Sequence, residues 1–235
     1  MNRLVVAGNG GIGLAMVKHL LKEYLEDGVF ATYRRKLPEL SDPNLRWIQM
    51  DAASDDSVKN ALGRIQSLDW VINAAGFLHS HDHSPEKNIQ QIDSAYFIEA
   101  MNSNALPSLL LAKYTFPLLR KSHHPMFTAI SAKVGSISDN RLGGWYSYRA
   151  SKAALNMIIK TMSIEWSRTL PKATVLALHP GTTDTHLSEP FQRNVPEGKL
   201  FTPERVARDL IAVIESAEPS QSGQLLAYDG SVIPW

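Results

Sequence analysis

The sequence contains no cysteine. That excludes disulfides, thiolate zinc sites, iron–sulfur clusters and a cysteine nucleophile. It also has almost no net charge: 24 Lys plus Arg face 23 Asp plus Glu, leaving +1 with His neutral. Such a balance gives no electrostatic case for DNA or RNA as a partner. No segment supplies the ~20 apolar residues needed to span a bilayer. The start, Met1 to Val17, superficially resembles a signal peptide. Its apolar stretch is broken by Gly8, Asn9, Gly10, Gly11 and Gly13, and no clean small-residue cleavage site follows. The expectation is a cytoplasmic protein. Repeats and low-complexity linkers are absent, so residues 1–235 are read as one domain.

The 235 residues are 44% hydrophobic and 20% charged, an ordinary globular composition that rules out a disordered chain. Short β-rich runs alternate with helical stretches. Strands are expected at 4–7, 29–33, 45–50, 68–75, 126–131, 173–178 and 223–228. Helices are expected at 12–25, 54–66, 94–121, 147–170 and 203–217. Strands separated by helices indicate right-handed βαβ units. The expected fold class is α/β: a single-domain, Rossmann-type, doubly wound parallel sheet of about seven strands with helices on both faces.

Gly8-Asn9-Gly10-Gly11-Ile12-Gly13 fits G-x-G-x-x-G between an expected strand and an expected helix. There it makes a tight turn, lets the backbone approach a pyrophosphate, and aims a helix N-terminus at the anion. At the end of the second strand an NAD-type site wants an acid. This chain has Tyr33, Arg34, Arg35 and Lys36 instead. Guanidinium grips phosphate bidentately, so NADP(H) is favoured over NAD(H). The plain alternative is a solvated basic turn.

Tyr148 and Lys152 are four residues apart in an expected helix, which puts them on one face. A tyrosine pKa of ~10 is too high for proton exchange at neutral pH. A nearby ammonium is expected to lower it toward ~7, which needs about 4 kcal/mol of differential stabilisation. Tyr148 would then exchange a proton with a carbonyl oxygen during hydride transfer.

These residues resemble the short-chain dehydrogenase/reductase family over almost the whole chain. Tyr148-Arg149-Ala150-Ser151-Lys152 resembles its Y-x-x-S-K, and Asn73-Ala74-Ala75-Gly76 its N-N-A-G. Asp51-Ala52 sits where the family contacts adenine. Pro180-Gly181-Thr182-Thr183-Asp184-Thr185 resembles the P-G-x-x-x-T that binds the nicotinamide side. Asn104 falls where the family has its tetrad asparagine, which holds a relay water. Lys152 would also contact the nicotinamide ribose. The segment 139–156 and the ending Tyr228 to Trp235 look most like the C-factor-type and Sniffer-type carbonyl reductase branch.

The chain departs from the family pattern at three places. The glycine turn is one residue short and starts at Ala7, not Thr. Pro107 stands where the family often has Gly. In Ser131-Ala132-Lys133-Val134-Gly135, counting back from Gly135 puts Ala132 at the catalytic serine position. Ser131 would point to the other face of its strand unless a bulge rescues it. Ser136 or Ser138 could supply the hydroxyl, or the serine is simply missing. Losing one oxyanion-type donor costs about 10²–10³ in rate.

His79, His81 and His83 alternate in a polar loop; metal, substrate contact and a solvated lid edge stay open, and no metal is assigned. The segment 182–201 carries His186, Leu187, Phe191 and Val195. By resemblance it is a substrate lid. With Trp145 and Phe77 it suggests a partly apolar carbonyl substrate. Trp235 packs either on a partner subunit or on its own domain. The long helices imply a homodimer or homotetramer. The implied function is NADPH-dependent reduction of an aldehyde or ketone. Tyr148 is the proton donor, Lys152 and Asn104 are helpers, and Ser131 is a substrate-orienting hydroxyl. The alternative is a dinucleotide-binding regulatory protein of the C-factor type with little turnover.

Overall fold

The structure, a computed structural model, describes residues 1–235. The strands are β1 (Asn2–Val6), β2 (Gly28–Tyr33), β3 (Leu45–Gln49), β4 (Trp70–Asn73), β5 (Met126–Ile130), β6 (Thr174–His179), β7 (Thr182–Thr183), β8 (Leu200–Phe201), β9 (Gln224–Ala227) and β10 (Val232–Ile233). The helices are α1 (Gly11–Glu23), α2 (Asp55–Leu62), α3 (Ser94–Asn104), α4 (Leu106–Leu119), α5 (Tyr146–Thr169) and α6 (Pro203–Ser216). The main sheet has eight strands in the order β10-β9-β6-β5-β4-β1-β2-β3. The chain winds outward from β1 to β3, then restarts at β4 on the other side of β1. That reversal opens a crevice at the carboxyl ends of β1 and β4, where open α/β sheets bind ligands.

Both sheet faces are covered, so the central strands β4 and β5 are buried at every position rather than alternating. In β1, Leu4 and Val6 enter a cluster of 25 buried residues with α2, α4 and α5. Val5 enters a cluster of 21 with α1 and α6 on the opposite face.

Two expectations are corrected. The helical stretch 94–121 is two helices that meet at Ala105. Pro107 lies in the first turn of α4, where its missing N–H is tolerated, and inside one continuous helix it would break the hydrogen-bond ladder. The sheet also gains an eighth strand, β10, antiparallel to β9. An Asp-Gly turn makes that hairpin: Gly230 is left-handed (φ +79°), and Asp229 Oδ1 accepts the Ser231 N–H at 3.0 Å. Trp235 packs, partly buried, against this chain's own core.

Trp166 anchors α5 on the sheet, with its ring 5.7 Å from Phe127 and 5.5 Å from Phe116. Truncating a buried aromatic costs about 3–5 kcal/mol. Trp166→Ala should lower the urea midpoint accordingly, with the slope unchanged.

Candidate active site

The glycine turn follows β1 directly. Ala7 is left-handed (φ +55°), its N–H donates to Thr32 Oγ1 at 2.9 Å, and its carbonyl accepts the Gly10 N–H at 3.0 Å. A Cβ on Gly13 would stand 2.2 Å from that carbonyl, and one on Gly11 2.5 Å from the Thr185 methyl. No larger residue fits either place, so α1 starts hard against β1 and the 180–185 loop. No side chain caps α1 and no acid lies in its first turn, which leaves its N–H groups free for an anion.

Tyr148 and Lys152 lie in the first two turns of α5, both buried. Lys152 Nζ donates to the Ile130 carbonyl at 2.9 Å and stands 5.8 Å from the Tyr148 ring centroid. A side chain on Gly76 would meet Nζ at 3.8 Å and Asn104 Oδ1 at 3.9 Å, so these groups share one corner. The expected lowering of the Tyr148 pKa is overturned. Burial pushes it up, with the nearby Tyr96 adding to the effect. Burial also lowers Lys152 to about 8, so its ammonium form still prevails at neutral pH. Desolvation disfavours the charged form of each group.

Asn104 sits at the break between α3 and α4. Its Oδ1 accepts the Phe77 N–H at 2.7 Å, while Nδ2 donates to Phe77 O at 2.8 Å and Ser151 Oγ at 2.9 Å. One amide donor therefore fastens the loop after β4, and the other ties Asn104 to α5. Asn73 is likewise internal: Nδ2 donates to Ser108 Oγ at 2.9 Å and Oδ1 accepts the Ala75 N–H at 3.1 Å.

Ser131 continues the regular ladder, its N–H donating to Leu178 O at 2.7 Å. Its hydroxyl is committed to Asn156 on α5, donating to Oδ1 at 2.6 Å. Ser136 Oγ donates to Pro234 O at 2.5 Å, and the Ser138 N–H to Trp235 O at 3.1 Å. These last two fasten the 232–235 segment. Ala132 is extended and lines the cavity.

A cavity of about 480 Å³ joins these parts. Of the expected residues it is lined by Gly10, Gly11, Ile12, Gly13, Ala74, Ala75, Gly76, Ser131, Tyr148, Lys152, Pro180, Gly181, Thr182, Thr183 and Thr185. Gly8, Asn9, Tyr33, Arg34, Arg35, Asp51, Ala52, Asn73 and Asn104 lie outside its lining. Arg34 and Arg35 are exposed at the carboxyl end of β2. Thr183 Oγ1 is buried without a hydrogen-bond partner. With the glycine cradle, that orphan suits a polar ligand such as a dinucleotide.

Leu187, Phe191 and Val195 close the cavity from the 182–201 segment, which β7 and β8 pin at its ends. The three loop histidines do not converge. His79 contacts the His186 carbonyl at 3.1 Å, His83 stacks on Tyr96 at 5.4 Å, and His81 is exposed. Sequence reasoning missed His179, the last residue of β6, which also lines the cavity. Its place directly before Pro180-Gly181 was the available signal.

Residues 2–196 match the family model described as short chain dehydrogenase. The chain belongs to the short-chain dehydrogenase/reductase family of oxidoreductases. The C-signal protein of Myxococcus xanthus is 34% identical over 144 residues, 61% of this chain and 81% of that protein. The NADPH-bound carbonyl reductase from chicken fatty liver superposes with a TM-score of 0.87 at 26% identity, covering 100% of this chain and 94% of that one. The carbonyl reductase Sniffer of D. melanogaster shares the fold, with a TM-score of 0.86 at 23% identity over 100% and 99% of the two chains. The likeness to C-signal is thus one of sequence over part of the chain, and that to Sniffer one of fold.

His179 generates a stability prediction. Burial lowers its pKa to about 4, and Nδ1 accepts the Lys133 N–H at 3.2 Å, which fixes a neutral ring. The unfolded chain takes up that proton near pH ~6.5, so stability is full above that pH and is lost as pH falls toward 4. The loss should reach about 3 kcal/mol at most. His179→Asn keeps an acceptor that does not titrate. Urea unfolding between pH 7.5 and 4.5 should fall less steeply in that variant.

Proposed function

We propose that this protein is an NADPH-dependent carbonyl reductase, with residues 1–235 working as one cytoplasmic domain and 182–201 as its substrate lid. The observation that carries the reading is the joining of Tyr148, Lys152 and the glycine turn in one cavity. Gly8 to Gly13 and the α1 N-terminus would hold the pyrophosphate. Arg34 and Arg35, beside Tyr33, would take a 2′-phosphate. Asp51, Ala52 and the 73–76 turn would flank the adenosine half. Lys152, Thr183 and the 180–185 loop would hold the nicotinamide half.

A bound nicotinamide supplies the hydride for the carbonyl carbon. The carbonyl oxygen then becomes far more basic than a phenolate and takes the proton from Tyr148 Oη. A raised phenol pKa suits this direction, because Tyr148 keeps its proton until the oxygen calls for it. The Lys152 ammonium stabilises the phenolate left behind, and solvent restores the proton. Asn104 keeps the 77–78 loop clear of this path. The orienting hydroxyl assigned to Ser131 is replaced in this reading by the methyl wall of Ala132, which makes a slow reductase.

A second reading, a regulatory dinucleotide-binding protein, is favoured by Ala132 and by the likeness to C-signal. We further propose a homodimer or homotetramer. Phe97 and Ile98 on α3, with Met157 and Ile164 on α5, expose apolar side chains on neighbouring helices.

NADPH consumption with aldehydes, ketones and diketones tests the reading. Tyr148→Phe should lose about 10²–10⁴ in kcat. Ala132→Ser should gain about tenfold or more, because it restores an oxyanion-type donor. Arg34→Ala with Arg35→Ala should raise the NADPH KM about tenfold and leave NADH unchanged. NADH working as well as NADPH in the wild type would sink the cofactor assignment. Tight NADPH binding without turnover on any carbonyl would favour the regulatory reading.

A further inference from the structure

Gly143, Gly144 and Trp145 are successive left-handed residues, with φ of +65°, +63° and +53°. The glycines adopt that conformation freely, but a bulky side chain does not. Such strain persists only where the surroundings enforce it. Glu86 enforces it here. Its main-chain carbonyl accepts the Trp145 N–H at 2.5 Å. Its buried carboxylate accepts the Ser147 N–H at 3.2 and 3.3 Å, and the Ser147 hydroxyl as well. Trp145 supplies no capping side chain to α5, and the Glu86 carboxylate fills that place from the loop after β4.

The strained backbone aims a large ring. The Trp145 ring centroid lies 6.1 Å from that of Tyr148 and 5.0 Å from that of Phe191 in the 182–201 segment. Phe191 in turn lies 5.8 Å from His79. An aromatic wall therefore runs from the reacting phenol to the lid. Leu78, Leu187 and Val195 add apolar surface, and no carboxylate lines the cavity.

We propose that Trp145 is a specificity-determining residue that selects flat, apolar carbonyl substrates, namely aromatic or conjugated aldehydes and ketones. Glu86 is the positioning residue that holds it. This rests on the reductase reading above. The substituent on the carbonyl carbon packs on the indole while the carbonyl oxygen faces Tyr148. Wall contact is kept from ground state to transition state, so it acts on KM rather than kcat.

The test uses NADPH-loaded wild type, Trp145→Ala, Trp145→Gly and Glu86→Gln. Kinetics on benzaldehyde and propanal are paired with calorimetric binding of benzamide, an unreactive aromatic ligand. Trp145→Ala should raise the benzaldehyde KM and the benzamide Kd about tenfold, while the propanal KM and both kcat values move by less than about twofold. Glu86→Gln loses one acceptor and should shift the same quantities in the same direction, by less. Trp145→Gly suits the left-handed backbone, so its melting temperature should hold or rise while the aromatic preference disappears. That separates the wall from a folding defect. Equal changes on both aldehydes, or an unchanged benzamide affinity, overturn the proposal. If wild type reduces neither aldehyde but benzamide affinity still depends on Trp145, the wall stands and the reductase reading fails.

Discussion

A buried ammonium with no carboxylate beside it is costly, and Lys152 is one. Its hydrogen bond is to the Ile130 carbonyl at the end of β5. Desolvating an unpaired ion costs several kcal/mol, which is why its pKa falls. The fold must hold it there by force of packing. Leu155, Ile159, Met162 and Trp166 do so, binding the rest of α5 to the sheet. Ala7 and Trp145, the two non-glycine residues with left-handed backbone, flank the same cavity. Strain and uncompensated charge are thus gathered at the carboxyl edge of the sheet. Relaxed, two-sided hydrophobic burial supports them from below.

The polar residues divide into two groups. Tyr148, Lys152 and Thr183 face the cavity with groups that have capacity to spare. Asn73, Asn104, Ser131 and Glu86 are consumed by internal bonds that shape loops and helix ends. Losing a member of the second group leaves a buried donor or acceptor unpaired, a larger penalty than the bond itself was worth. These residues set the geometry around the cavity through their internal bonds.

The architecture was legible because its signals are local. Apolar runs, glycine spacing and the Tyr148–Lys152 interval need no knowledge of distant residues. The β10 hairpin was missed although Asp229-Gly230 announces it. The pKa of Tyr148 was misread because burial belongs to the assembled fold, and it reverses the effect of a neighbouring charge. Glu86 was illegible for a related reason: its partner Ser147 lies 61 residues away. His179 meets Lys133 across 46 residues. No spacing rule reaches that far.

The loop after β4 is tied at both ends. Asn104 fastens Phe77 from both sides, and Glu86 is locked to the start of α5. Between these ties the chain rises to an exposed tip around His81. Backbone secured so firmly on either side can change length at the tip without moving what lies beyond the ties. The stretch 80–84 is therefore a natural place for descendants, or a protein engineer, to insert residues and reshape the approach to the cavity.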